Sequence, residues 1–110
     1  MAFGLNIFKT VTVNLTTTHQ EIYTAPFGYS AIVLMAQICN ITSGVQTASM
    51  STLAPDSSET SLIENFGISG YDAVGALTGK LVLETGWGIT ASANNDNTLK
   101  LVLSILESKN

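Results

Sequence analysis

Strict alternation of apolar and polar residues runs through this chain and restricts it to β structure. At one end the odd positions read Phe3, Leu5, Ile7, Lys9, Val11, Val13 and Leu15, while the even positions read Gly4, Asn6, Phe8, Thr10, Thr12 and Asn14. Toward the other end Trp87, Ile89, Ala91 and Ala93 alternate with Gly88, Thr90 and Ser92, and Leu99, Leu101, Leu103 and Ile105 form a last amphipathic run. Successive side chains of a strand point to opposite faces, so a period of two buries one face and solvates the other. Lys9 breaks the first run. The segment therefore reads either as two strands or as one long strand with an extended N-terminal arm over Met1–Phe8.

Further strands are predicted between these ends. Gln20–Thr24 carries Ile22 and Tyr23, and Ala25-Pro26-Phe27-Gly28 follows as a turn, with proline presetting φ and glycine supplying a positive one. Ser30–Ile41 is the most hydrophobic run. Its length also fits a helix, but its β-branched residues and bounding turns favour a strand. Read with an unbroken period of two, Ile32, Leu34, Ala36 and Ile38 share one face, and Ala31, Val33, Met35, Cys39 and Ile41 the other. A strand apolar on both faces is either covered on both sides within one sandwich or packed on a neighbouring subunit. Val45–Leu53 alternates weakly, Thr60–Ile68 is a further strand, Ser69–Gly79 an irregular crossing and Leu81–Leu83 a short strand; Ser108-Lys109-Asn110 reads as a tail. Seven or eight antiparallel strands at this spacing predict a single all-β domain over residues 1–110, a β-sandwich of jelly-roll or Ig-like type. A chain of 110 residues buries enough surface to fold without disulfides or metal.

Charge is scarce. Only 11% of residues are charged, against about 25% in an average domain. Such a surface is either covered by Thr, Ser, Asn and Gly or hidden against partners. The net charge is −4, with four lysines and no arginine. That argues against nucleic acid, which needs clustered cations, and against a polybasic membrane anchor. Neither a signal peptide nor an apolar stretch long enough for a membrane helix is present. The sequons at Asn14 and Asn40 therefore read as strand residues.

Catalytic groups are equally sparse. Cys39, the single cysteine, reads as a small buried hydrophobe with no cationic neighbour in sequence. His19 is the single histidine, and His19 with Glu21 on one strand face is a weak metal pair at most. A Ser-His-Asp arrangement would depend entirely on His19, and no G-x-S-x-G or P-loop motif occurs. No catalytic, cofactor-binding or metal residues are therefore assigned. Trp87 between glycines suits a sugar-stacking platform or a packing anchor; its place after the Glu84-Thr85-Gly86 turn favours packing.

Two segments carry a resemblance. Glu21-Ile22-Tyr23-Thr24-Ala25-Pro26-Phe27-Gly28-Tyr29-Ser30-Ala31-Ile32-Val33-Leu34 resembles a strand–turn–strand of small virion proteins of tailed bacteriophages, cyanophages included. Leu77-Thr78-Gly79-Lys80-Leu81-Val82-Leu83-Glu84-Thr85-Gly86, followed by a Ser/Ala strand and a Leu-rich strand, is similar to the same group. The resemblance spans roughly Val11 to Glu107, while Gln46–Tyr71 departs from it. It implies a β-sandwich structural protein of the particle, made in the host cytoplasm: a capsid decoration (cement) protein, or a neck, tail or fibre-attachment component. It further implies capsid or neck and tail proteins as partners, a homo-oligomer (dimer or trimer), and no catalytic residues. On this reading the candidate interface is Phe3, Leu5, Ile7, Phe8, Met35 and Trp87. A carbohydrate-binding module using Trp87 or the tyrosines Tyr23, Tyr29 and Tyr71 is a more distant reading.

Overall fold

A computed structural model describes residues 6–110. Nine strands follow in order: β1 (Asn6–Asn14), β2 (Gln20–Thr24), β3 (Tyr29–Asn40), β4 (Gln46–Leu53), β5 (Glu59–Ile68), β6 (Ala73–Gly75), β7 (Leu81–Leu83), β8 (Gly88–Ala93) and β9 (Leu99–Lys109). Their pairing is nested. β1 pairs with β9, β2 with β8, β3 with both β6 and β7, and β4 with β5, all antiparallel. Further pairing of β3 with β9 and of β4 with β8 completes a five-stranded sheet, β1-β9-β3-β6 with β7 also on β3, and a four-stranded sheet, β2-β8-β4-β5.

Strands β6 and β7 lie along successive stretches of one edge of β3, so they act as a single interrupted strand. Counted that way, an eight-strand hairpin has been rolled into two sheets, which is the jelly-roll order. First-to-last pairing separates it from the Ig-like arrangement, so the sandwich expected from the sequence is of the jelly-roll kind. Among the described residues no helix is long and apolar enough to cross a membrane.

The core lies between the sheets. Leu101, Leu103 and Ile105 of β9 face Met50 of β4 and Ile89 and Ala91 of β8, all buried. The alternation in β9 and β8 therefore buries the residues that the sequence predicts. In β3 it does not. A register shift between Val33 and Met35 inserts one extra residue, so the faces exchange in mid-strand. Ala31, Val33, Ala36 and Ile38 all point inward, and Leu34 and Met35 both sit on the outer side. The unbroken alternation read from the sequence is wrong there because it takes no account of the bulge.

The N-terminal run also differs from expectation. β1 is in continuous register with β9 from Asn6, opposite Ser108, to Asn14, opposite Lys100. Residues 6–8 of the expected arm are thus part of the sheet, and residues 1–5 lie outside the described residues. The tail is tied down as well. Lys109 is in β9, and Asn110 donates its backbone N–H to the Gly28 carbonyl at 2.8 Å and accepts from the Ser30 hydroxyl at 2.7 Å.

Candidate functional site

The break at Lys9 has a partner inside the sandwich. Lys9 keeps the inward parity of β1, and its Nζ lies 3.1 Å from Oε1 of Glu107, a β9 residue that is 1% exposed. The Tyr23 hydroxyl, from the opposite sheet, donates to Oε2 of Glu107 at 2.5 Å. Burial, then the bond to Glu107, pushes the Tyr23 phenol well above its ordinary value. A carboxylate buried among apolar side chains is tolerable because both of its oxygens are occupied. Glu107 carries no sequence signal of burial beyond its even spacing from Ile105.

With Lys9 turned inward, an apolar row is left on the outer face of the five-stranded sheet, among polar neighbours such as Thr10, Ser104 and Gln37. The pairing places Phe8 opposite Leu106, Leu106 opposite Ile32 and Ile32 opposite Val82. One row of four apolar side chains crosses the whole sheet, about 14 Å at the usual strand spacing. Its ends are open, Phe8 at 75% and Val82 at 63% exposure, while Leu106 and Ile32 are half-buried. Leu34 and Met35, turned out by the bulge, border the row. A hollow of about 300 Å³ lies between them, lined by Phe8, Lys9, Thr10, Leu34, Ser104 and Ile105.

Of the six candidate interface residues, the structure brings Phe8 and Met35 together on this face. Ile7 has inward parity and sits opposite Glu107, partly exposed near the end of the sheet. Trp87 lies elsewhere: it packs against the core, and its backbone is bonded to Ala25 and Glu84 in the turn preceding β8. Phe3 and Leu5 lie outside the described residues. Sequence reasoning did not select Ile32, Val82 and Leu106 for the face, because only the register reveals that they share one row.

The outer face of the four-stranded sheet is polar. There Nε2 of His19 lies 2.7 Å from Oε1 of Glu59, and its Nδ1 lies 3.1 Å from the Ser92 hydroxyl. The Thr90 hydroxyl donates to the same Glu59 oxygen at 2.6 Å. That bond, and then the one to His19, hold the Glu59 carboxyl below its usual range. Glu21, the expected companion of His19, instead accepts from the Thr24 hydroxyl. The cluster floors an open hollow of about 420 Å³ that also includes Ser49, Ser51 and Ser61. Ser92 belongs to β8, between β2 and β4, so its backbone is engaged in the sheet. The arrangement clamps the β1–β2 loop, β5 and β8 together. Among the described residues, no group of three or more His, Cys, Asp or Glu is placed to hold a metal ion.

The sequon residues Asn14 and Asn40 end β1 and β3, strand residues as expected; the expectation that changes is the burial of Cys39. Asn40 is fully buried and donates to the carbonyls of Gly44 and Ile68 at 2.8 and 2.9 Å, while its Oδ1 accepts from Thr42, so it ties loops together. Cys39 has outward parity on β3, half-buried opposite Lys100, and does not lie in the core.

No protein-family model matches the chain, and no curated protein matches its sequence. Solved structures do share its fold. A subunit of the disulfide-linked pili of Bacillus endospore appendages aligns over 94% of this chain and 86% of its own, with a TM-score of 0.56 at 8% identity. A chain from the capsid of Helicobacter pylori bacteriophage KHP30 aligns over 97% and 90%, with a TM-score of 0.55 at 14% identity. The nucleoplasmin-like N-terminal domain of Drosophila FKBP39 aligns over 100% and 95%, with a TM-score of 0.50 at 9% identity. At these identities the likeness is one of fold.

Proposed function

We propose that the chain is a structural subunit of a virus particle, a decoration (cement) protein that binds between capsid subunits of a tailed-phage head. The observation that carries this reading is the uncovered apolar row Phe8–Leu106–Ile32–Val82 across one face of a domain with few charges. Contiguous exposed apolar surface marks an interaction site. A flat sheet face suits another protein surface better than a small molecule. The jelly roll is a capsid architecture, and the phage capsid chain shares it across nearly its full length. On this reading the chain works as a homo-oligomer, is made in the host cytoplasm and resides in the virion. Its partners are capsid proteins.

A neck, tail or fibre-attachment protein is the second reading, favoured by the pilus subunit of the same fold. A sugar-binding role is less well supported, since Trp87 packs on the core and the Tyr23 hydroxyl is spent on Glu107. Quantifying the chain in purified particles separates the first two. Hundreds of copies per particle mark a head decoration; about six to a few dozen mark a neck or tail component, as symmetric assembly dictates. Absence from the particle sinks both.

A further inference from the structure

Sheet edges expose unpaired backbone groups, and natural proteins blunt them with bulges, short strands, prolines and charges, lysine above all. The four edges here are not treated alike. β2 has five residues and a bulge. β5 has two register shifts, a positive φ at Asn65 and the carboxylates of Glu59 and Glu64. β6 and β7 have three residues each. β1 has nine residues with no proline and no register shift, and its one charge, Lys9, is turned inward onto Glu107. Among the described residues β1 is the one long, straight edge without a device against pairing.

The backbone of β1 is also set for a partner. Leu15 follows Asn14 in the register, opposite Leu99, and donates its N–H to the Leu99 carbonyl at 3.0 Å. Odd residues of the run therefore bond to β9, and Asn6, Phe8, Thr10, Thr12 and Asn14 turn their N–H and C=O groups to the open edge. The apolar row ends on this edge, at Phe8.

We propose that β1 pairs antiparallel with β1 of a second copy, about a two-fold axis through Phe8. Isologous contacts of this kind are the commonest way for a chain to meet itself. Two observations fix the register. Phe8 opposite the partner's Phe8 joins the two apolar rows into one stripe of eight side chains, about 34 Å long. A shift that centres the axis on Lys9 would oppose two like charges, and one centred on Thr10 would break the stripe. The dimer stands on the geometry of the edge and holds whether or not the chain is a virion protein. If it is, the stripe doubles the docking face, and two linked sites gain avidity without new contacts.

Sedimentation of the purified chain at about 100 μM, well above a micromolar dissociation constant, reads the state directly. A dimer is expected. Thr10→Pro removes an edge-facing N–H without removing a bond to β9, and Phe8→Lys places charge at the axis; each is expected to shift the mass to monomer while circular dichroism stays unchanged. In a Cys39→Ser background, Phe8→Cys is expected to cross-link to its partner on oxidation, since about 5.5 Å separates paired Cα atoms at such a position, and Thr10→Cys is not. A monomeric wild type overturns the proposal. So does a dimer that survives both Thr10→Pro and Phe8→Lys, or one that cross-links at position 10 in place of 8. Copy number in the particle is a separate readout, so failure of one proposal is distinguishable from failure of the other.

Discussion

Lys9, Glu107 and Tyr23 show how much one side chain decides. Glu107 is buried, and its charge is tolerated because Lys9 and Tyr23 satisfy it. Removing one partner of a buried pair costs about 3–5 kcal/mol, but replacing both by apolar groups is often neutral. The Lys9 side chain is 44% exposed, so solvent screens part of the interaction. Lys9→Met is accordingly expected to lose about 2 kcal/mol in urea unfolding, and Glu107→Leu to strand the ammonium at a smaller cost. The double variant is expected to recover most of the loss, giving a coupling energy that a surface pair would not show. The double variant also leaves the edge of β1 unaltered, because Lys9 never faced it.

Elements are joined in this fold by polar clamps on the outer face, and these respond to pH. The Glu59 carboxyl of β5 is held below its usual range by Thr90 of β8 and then by His19 ahead of β2. A folded-state pKa below the unfolded one contributes stability that is fully present above the ordinary carboxylate value of 4.5 and is lost as pH falls through the folded value. The stability difference between wild type and Glu59→Gln is therefore expected to be constant near neutrality and to shrink below about pH 4.5, in denaturant titrations run at stepped pH. A difference that stays flat down to pH 3 would remove the carboxylate from the clamp. Much of the element pattern was legible in the sequence. β8 and β9 alternate without interruption, and the turns around Pro26 and Gly86 have the residues that positive φ demands. What escaped were effects of tertiary pairing. The bulge in β3 carries no local signature because it falls within Ala31–Ala36, where every residue is apolar. Lys9 looked like an interruption because its partner is 98 positions away in sequence. The apolar row was invisible for the same reason, since each of its four residues comes from a different strand.

For the molecule as a whole, nested pairing makes most tertiary contacts long-range. Domains dominated by such pairings fold on roughly the millisecond-to-second scale, well behind helical ones. Stopped-flow refolding, followed by Trp87 fluorescence, is expected to show a dominant phase in that range. A chain truncated after Thr98 is expected to remain unfolded, because β1 and β3 both lose β9, the strand between them. Microsecond refolding or a cooperatively folded truncation would contradict this picture.

The pairing of β1 with β9 has a consequence for synthesis. Asn6 finds its place opposite Ser108. On the ribosome, β1 is made nearly a hundred residues ahead of β9 and waits, with both of its sides unpaired, until that strand has been translated. Folding of the five-stranded sheet is thereby deferred until β9 is available, and nascent chains on one messenger present that same bare strand to one another in the interval.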